Sequence, residues 1–504
     1  MKTRFLNKRT YATAVGIGLL ACLSLSCTKD FEKINTPPST VTTVPPELLF
    51  SNILLSGTLR EYGQNPNTRF GSWVQHWAGG TVVPDSRYIS SPGNGIWGGH
   101  YGGMVRNIVQ IRAELAGLEN DPTGRSKLAM AAIWEVHLYQ QLTDLYGDVP
   151  FSEVTQSVKD IKRVVRFDRQ EDIYPVLIAR LDAALANLTD GDRGYGAADF
   201  FYGGDLAKWR KFGIKLRLGM RLRYANPALA EKTVKEAMAS PHGLPAGNAD
   251  NAAIATNNAR TETRHPMVNQ FEEGSEDLRY LATALVDQLK AYNDPRLPLL
   301  AEPVIINGNE EYHGIGVALT DDENKNLIRT NYSTANLGTW FSTTFPPIPV
   351  YAMTYSDICF YKAEAALLGW GAAPADAQGF FTDGVEAALA LPPYNMDAAD
   401  IPAAYRTDVL DFAGLTDEQK LERIATQKWL HLFGRNLEAF AEWRRMGYPK
   451  LTPGPYPGST NGQIPRRAMY STDEAAFNAD NYKEASARMS NGDTFLSRVW
   501  WDKN

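Results

Sequence analysis

The side chains best suited to chemistry are scattered through this sequence and form no catalytic pattern. The seven histidines, His76, His100, His137, His242, His265, His313 and His431, include no pair spaced like the two metal ligands of H-E-x-x-H. There is no phosphate-cradling P-loop and no G-x-S-x-G nucleophile elbow. Gly93-Asn94-Gly95-Ile96-Trp97-Gly98 does match G-x-G-x-x-G, but Ser-Ser-Pro precedes it rather than a buried strand. Without a βαβ setting it reads as a loop ahead of a helix, not as a dinucleotide site. Of the three cysteines only Cys359 lies outside the first 27 residues, on a helical pattern where a thiol acts as a small apolar side chain. Acids number 57, and a glycosidase would need two at a fixed separation; no spacing singles out a pair. The reading is therefore a non-catalytic protein with no cofactor, and nothing in the sequence names a metal.

Aromatic residues are better placed for binding. Trp73, Trp77, Tyr88, Trp97 and Tyr101 lie among Gly, Pro and Ser; Tyr332, Trp340, Phe341, Phe345 and Tyr351 form a second cluster in another irregular stretch. Aromatic faces carried on loops suit the C–H faces of sugar rings and lose little side-chain entropy on binding. Trp97 and Tyr101 continue into a helical stripe with Met104 and Ile108, which assigns them to a core. The expected ligand surface is Trp77, Tyr88, Tyr332, Trp340 and Phe341. Trp340 is its principal anchor, because Gly338 and Thr339 leave room beside the ring.

The elements that position these residues read as helices. Ile173, Leu177, Leu181, Leu185 and Leu188 step at helical spacing, as do Leu128, Ala132, Val136, Tyr139, Leu142 and Leu145. Further stripes are Trp209, Phe212, Leu216 and Met220 behind an Asp205 cap; Ile358, Tyr361, Ala365 and Leu368; and Leu421, Ile424, Lys428 and Leu432 behind a Thr416–Gln419 capping box. Lys428 is expected to lie along the edge of its stripe. The basic run from Lys208 to Arg223 reads as the solvated face of its helix. The strongest strand signal is Val304-Ile305-Ile306, which Asn307-Gly308 turns into a hairpin. Stretches near 226–280, 307–350 and 450–495 read as irregular. The pattern is mainly α: helix pairs without an exact repeat period, a loop-rich part and a few short hairpins.

The chain opens with Lys2, Arg4, Lys8 and Arg9 ahead of an apolar run from Tyr11 to Ser26, the layout of a secretory signal. Cys27 follows, and the sequence then turns polar at Thr28-Lys29-Asp30 and rich in Pro, Thr and Ser from Asn35 to Pro46. A cysteine at this junction is the acceptor for a diacylglycerol anchor, and two acyl chains hold a protein stably on a membrane. Cys27 is the expected lipidation site. Cys22, behind Leu19-Leu20-Ala21, is the alternative. The expected organisation is signal 1–26, anchor and tether 27–46, and a folded body 47–504. A net charge of -6 without a basic patch argues against nucleic acid as a partner.

Several blocks together resemble one family. Cys27-Thr28-Lys29-Asp30-Phe31-Glu32-Lys33-Ile34-Asn35 resembles the mature start of SusD/RagB-like lipoproteins of Bacteroidetes. Leu142-Thr143-Asp144-Leu145-Tyr146-Gly147-Asp148-Val149-Pro150-Phe151-Ser152-Glu153 is similar to their most recognisable internal motif, and Asp294-Pro295-Arg296-Leu297-Pro298, Ala363-Glu364-Ala365-Ala366, Ile464-Pro465-Arg466-Arg467 and Val499-Trp500-Trp501-Asp502-Lys503 are similar to further blocks. The resemblance implies tetratricopeptide-like helix pairs with an irregular part carrying the ligand site. It also implies attachment to the outer membrane at the cell surface, and capture of a glycan or peptide for a SusC-like TonB-dependent transporter. Those motifs are mainly structural and transfer no ligand contacts.

The anchor assignment has a direct test. Cys27→Ala should abolish acyl labelling and release the protein from the outer-membrane fraction or stall its maturation. Labelling that survives in Cys27→Ala and disappears in Cys22→Ala would move the anchor to Cys22.

Overall fold

The computed structural model describes residues 44–63, 67–78, 84–89, 94–154, 162, 164–223, 226–257, 260, 263–267, 280–335 and 347–503. Cys22, Cys27, Trp340 and Phe341 lie outside the described residues. The chain divides into two units, Met1–Pro45 and Pro46–Asn504. The main helices of the second unit are α1 (Pro46–Glu61), α2 (Arg106–Glu114), α3 (Pro122–Tyr146), α4 (Gln170–Asn187), α5 (Leu206–Arg223), α6 (Pro227–Met238), α7 (Thr283–Ala291), α8 (Tyr355–Leu367), α9 (Ala377–Leu389), α10 (Asp417–His431) and α11 (Asn436–Met446). Chain neighbours pack as pairs, α3 on α4, α5 on α6, α8 on α9 and α10 on α11, and the pairs join through α4 on α5, α8 on α10 and α3 on α11. This is the expected tetratricopeptide-like arrangement.

Local signals explain the ends of these helices. Asp121 caps α3 by accepting from the Gly124 amide, Pro122 occupies the first turn, and Gly147, at φ 80°, stops it. Asp205 accepts from the amides of Ala207 and Lys208 ahead of α5 at 3.0 and 3.1 Å. Thr416 and Gln419 form the capping box of α10. The apolar stripes of α4 and α5 are buried as their spacing predicts, apart from the half-buried Leu185. In α3 the register differs: Leu128 and Ala132 are half-buried, while every residue from Ile133 to Tyr146 is buried. A helix enclosed on all sides must bury polar groups too, and α3 carries Glu135, His137, Gln140, Gln141, Thr143 and Asp144 inside. The hairpin forms as expected, with β4 (Val304–Ile306) pairing β5 (Asn309–Glu311) and left-handed backbone at Asn307 and Gly308. Helix α6 falls in a stretch read as irregular, although Asn226 and Pro227 supply its cap and first turn.

The polar interior overturns two expectations. The basic run of α5 is a solvated face only in part: Arg210, Lys215 and Arg223 are buried, while Lys208, Lys211, Arg217 and Arg221 are half-exposed. Lys428 is not at an edge but only 2% exposed, its Nζ 2.7 Å from Glu442 and 3.5 Å above the Tyr361 ring. Both follow from one cluster. Arg223 donates to Asp144 of α3 at 2.8 Å and to Glu438 and Glu442 of α11, each at 2.7 Å. Burial acts against every charge in it. The surrounding carboxylates nevertheless hold the Arg223 guanidinium well above its ordinary range, and Arg445, Lys428 and Arg223 hold Glu442 well below the usual carboxylate range. Asp144 also accepts from Gln140 at 3.1 Å and from the Trp501 indole at 2.8 Å, which draws the C-terminal run onto α3. Burial raises its carboxyl in spite of Arg223.

The Tyr-Gly-Asp-Val-Pro-Phe block is structural. Tyr146 is buried edge-on to Trp97, and its carbonyl accepts from Arg467. Beyond Gly147, Val149 bridges Asp168, whose carboxylate collects the amides of Phe151 and Ser152 at 3.1 and 2.7 Å. Cys359 is fully buried, and burial pushes its thiol up to about 12, so it is an apolar core group as expected.

Two outcomes follow. Removing one member of a buried, paired cluster leaves the others uncompensated, so Arg223→Met should lower unfolding free energy by about 3–5 kcal/mol in denaturant titration; a loss below about 1 kcal/mol would contradict the central role given to it. Burial also lowers His76 to about 4 and His265 to about 3, and His100 and His137 well below their ordinary range. A histidine whose folded value is depressed stabilises the fold above its unfolded value of about 6.5, and that stability is lost as pH falls. The melting temperature should therefore drop between pH 7 and 5; a flat calorimetric profile across that range would be inconsistent with neutral buried imidazoles.

Candidate functional site

The two expected aromatic segments do meet, and the backbone brings them together. Strand β1 (Trp77–Ala78) pairs antiparallel with β3 (Tyr280–Leu281), in register Trp77 with Leu281 and Ala78 with Tyr280. Tyr280 also bridges Thr334, Ala282 bridges Ile315 and Ala301 bridges Ala335. Backbone hydrogen bonds tie the same strips: the amide of Ser333 donates to the His313 carbonyl at 2.7 Å, that of Ile315 to Leu281 at 2.9 Å and that of Thr283 to Ile315 at 2.9 Å. Five stretches, near residues 78, 281, 301, 314 and 334, thus form one small platform. Its underside is a satellite core of Ala78, Ala282, Ile315 and Val317, against which the half-buried Tyr280, Leu319, Leu327 and Tyr332 pack.

The platform is fastened to the helices by His76. Its ring lies 3.0 Å from the Trp429 carbonyl and 3.4 Å from Asn436, and the Trp429 indole donates to the Val74 carbonyl at 2.9 Å. Helices α10 and α11 therefore hold the chain just ahead of β1.

This placement reassigns two expected ligand contacts. Trp77 is 1% exposed, with its ring 4.6 Å from that of Phe433, and a side chain at Gly71 would come within 2.6 Å of it. Tyr88 is 0% exposed, and burial pushes its phenol up to about 12. Gly458, at φ +55°, lets its loop press on Tyr88, where a Cβ would meet the Arg87 and Tyr88 carbonyl oxygens at 2.3 and 2.7 Å. Glycines that read as loop formers in the sequence allow close approach in the fold, and both rings are sealed from solvent. Tyr332 keeps a half-exposed ring. Trp340 and Phe341 are outside the described residues.

Polar groups missed by the sequence reading lie beside the platform. A cleft of about 530 Å³ runs between the start of α7 and the Pro449–Pro455 segment. Asp287, Gln288 and Lys450 line it, and Asp287 is exposed with its carboxylate unpaired among the described residues. Gln75 fixes the far wall by donating to the Thr452 carbonyl at 2.5 Å. Arg87 pairs with Asp321 at 2.6 Å and stacks over the half-buried Tyr456 at 4.7 Å from the ring centroid. The cleft joins stretches near residues 75, 287 and 450, and no sequence spacing marks it. A carboxylate, an amide and an ammonium beside Pro449, Pro453 and Pro455 can hydrogen-bond hydroxyl groups and receive the apolar face of a sugar ring. Among the described residues no cluster of three His, Cys, Asp or Glu is placed to hold a metal ion, and no helix is long and apolar enough to cross a membrane.

Residues 38–471 match the family model SusD-like_2, described as starch-binding and associating with the outer membrane. Among solved structures, a chitin-binding protein is similar at 29% identity with a TM-score of 0.76, spanning 91% of this chain and 99% of that one. A SusD homolog from Bacteroides uniformis is similar at 25% identity with a TM-score of 0.74, over 91% of this chain and 99% of that one. A chitin-binding SusD homolog from Flavobacterium johnsoniae shares the fold at 23% identity with a TM-score of 0.74, over 91% of this chain and 98% of that one. A comparison with curated proteins finds no match.

Proposed function

Since the chain belongs to the SusD-like family, whose model describes starch-binding proteins associating with the outer membrane, we propose that it is a surface lipoprotein that captures an oligosaccharide and passes it to a SusC-like TonB-dependent transporter. The observation that carries this reading is likeness over nearly the full length of both chains to a protein named as chitin-binding. Oligomers of β-linked N-acetylglucosamine are therefore the first ligands to try, with starch oligomers second. The acyl anchor is Cys27, with Cys22 the alternative. The ligand surface is the strand platform: Tyr332 on it, Trp340 and Phe341 beyond it in sequence, and Asp287, Gln288 and Lys450 in the adjoining cleft.

The protein works by concentration and hand-over and breaks no bond. In support, buried acids serve structure: Glu438 and Glu442 face Arg223, and Asp357 faces Arg435 at 3.0 Å. A carrier must release what it holds, so affinity should be micromolar or weaker, about 8 kcal/mol in magnitude or less.

Calorimetric titration of the full chain with chitin and starch oligomers tests this. Trp340→Ala should weaken binding of the preferred oligomer by about 1–2 kcal/mol with an unchanged melting temperature. Asp287→Asn should weaken it by about 0.5–1.5 kcal/mol, the scale of one hydrogen bond. Unchanged affinity in both variants would remove the site from the platform, and release of new reducing ends during incubation would make the protein an enzyme instead.

A further inference from the structure

A second cavity is much smaller, about 80 Å³, and is walled by stretches near residues 62, 266, 351, 391 and 433. One water-sized sphere needs about 10–15 Å³ of such space, so the cavity has room for about five to eight non-hydrogen atoms. A pyranose carrying its hydroxyls is larger than that. The ligand that fits is a single small group.

Most of the wall is apolar and aromatic. Rings of Tyr62, Tyr351, Tyr394 and Phe433 line it, as do Pro392 and Pro393. The Tyr62 hydroxyl is already spent: it accepts from the Tyr351 amide at 2.9 Å and donates to the Tyr351 carbonyl at 3.2 Å. Tyr62 therefore serves the cavity as a ring, held edge-on to the His265 imidazole at 5.2 Å between centroids. Walls of this kind receive a small flat apolar body.

Two polar side chains in the wall have an atom left over. Arg435 is 3% exposed; its Nη1 donates to both Asp357 oxygens at 3.0 Å and its Nη2 to the Ala352 carbonyl at 3.3 Å. Its Nε–H is buried and has no acceptor among the described residues. A buried donor in that condition is costly until something accepts from it. His431 places Nε2 2.7 Å from the Thr354 hydroxyl and 3.6 Å from the Asp357 carboxylate, which puts the imidazole proton on Nε2. Its Nδ1 is then an acceptor, and it has no hydrogen-bond partner among the described residues. Asp357 faces both side chains, so the leftover donor and the leftover acceptor are neighbours.

Charge decides what can enter. Asp357 already answers the Arg435 guanidinium, so no anion is called for. Burial holds the His265 and His431 imidazoles below their ordinary range, and surroundings that disfavour a charged imidazole disfavour a cationic ligand too. A neutral group must accept one hydrogen bond and donate another. A carbonyl accepts but cannot donate. A hydroxyl does both, and carried on an aromatic ring it also supplies the flat body that the walls receive.

We propose that this cavity binds a small neutral phenol. The hydroxyl accepts from Arg435 Nε and donates to His431 Nδ1, and the ring lies among Tyr351, Tyr394 and Phe433. The site shares no residue with the oligosaccharide surface and does not depend on that reading.

The test titrates the full chain with para-fluorophenol and follows the fluorine resonance and the heat of binding. Saturable binding at millimolar concentration or below is expected. Fluorobenzene, which lacks the hydroxyl, and para-fluoroanisole, which accepts but cannot donate, should each bind at least about tenfold more weakly. Cyclohexanol, which has the hydroxyl without the flat ring, should compete at least about tenfold less well than phenol. His431→Leu should weaken para-fluorophenol by a similar factor, and His431→Asn, whose amide oxygen can stand where Nδ1 does, should lose less. Leu391→Phe should fill the cavity and abolish binding. Melting curves accompany each variant; should one fail to fold, the analogue series on the parent chain decides alone. No saturable binding of para-fluorophenol at millimolar concentration would overturn the proposal. So would equal binding of fluorobenzene, normal binding by Leu391→Phe, or displacement of the phenol by a chitin oligomer. Failure of the parent to bind any oligosaccharide would count against the proposed function alone.

Discussion

One buried cation organises the scaffold. Arg223 ends α5 with its side chain inaccessible to solvent, and its partners come from α3 and twice from α11. The same acids reach outward. Glu442 also holds Lys428 of α10 and Arg445, and Arg445 in turn holds Glu364 of α8 at 2.6 and 2.7 Å. The Tyr361 hydroxyl of α8 lies 3.4 and 3.3 Å from Glu438 and Glu442. Five helices therefore meet on one ionic cluster. Desolvating that many charges is expensive, and apolar residues of equal volume could match the net stability. Apolar contacts tolerate sliding by a fraction of a turn. A guanidinium facing three carboxylates at 2.7–2.8 Å does not, because a shift of any helix strands a charge.

That fixed register reaches the strand platform through few intermediaries. Helices α10 and α11 are held by Lys428, Glu438 and Glu442, and the same two helices hold His76 and the Val74 carbonyl. The next residues are β1, which pairs β3, which bridges the strips near residues 315 and 334. The platform's strands are two residues long and could not persist alone. They persist because each is tied to something already positioned. Strand β2 (Ala252–Ile254) shows the same dependence: it pairs with β6 (Val350–Met353), which runs directly into the Thr354 cap of α8.

What the sequence made legible follows the range of the forces involved. Helix stripes on α4 and α5, the Thr416 box and the Asn307-Gly308 turn rest on contacts within a few residues, and they appear as their spacing predicts. Lys428 and Arg223 could not be placed that way. A basic letter inside a periodic pattern reads as a polar face unless its partner is known, and their partners lie 14 to more than 200 residues away. Trp77 and Tyr88 show the converse. Glycines around them read as loop signals, yet Gly71 and Gly458 are small because another chain segment presses on them. Helix α6 was legible in principle from Asn226-Pro227, but its apolar face is short and its neighbours read as irregular.

The division between scaffold and surface also explains why the recognisable motifs read as structural. Asp144, Tyr146 and Asp148 bind Arg223, Arg467 and Arg488, and the block from Asp294 to Arg296 closes on Tyr405 and Gln427. Each motif is a joint between segments far apart in sequence. Changing one partner without the other strands a charge, so the joint must keep its chemistry. Residues such as Asp287, Arg106 and Asp473 lie on surfaces where no internal partner claims their charge among the described residues. Their identity is free to follow the ligand. A rigid ionic frame with unclaimed polar groups at its cavities lets one architecture serve different ligands, and what a given chain binds must be read from the unclaimed groups rather than from the motifs that identify its fold.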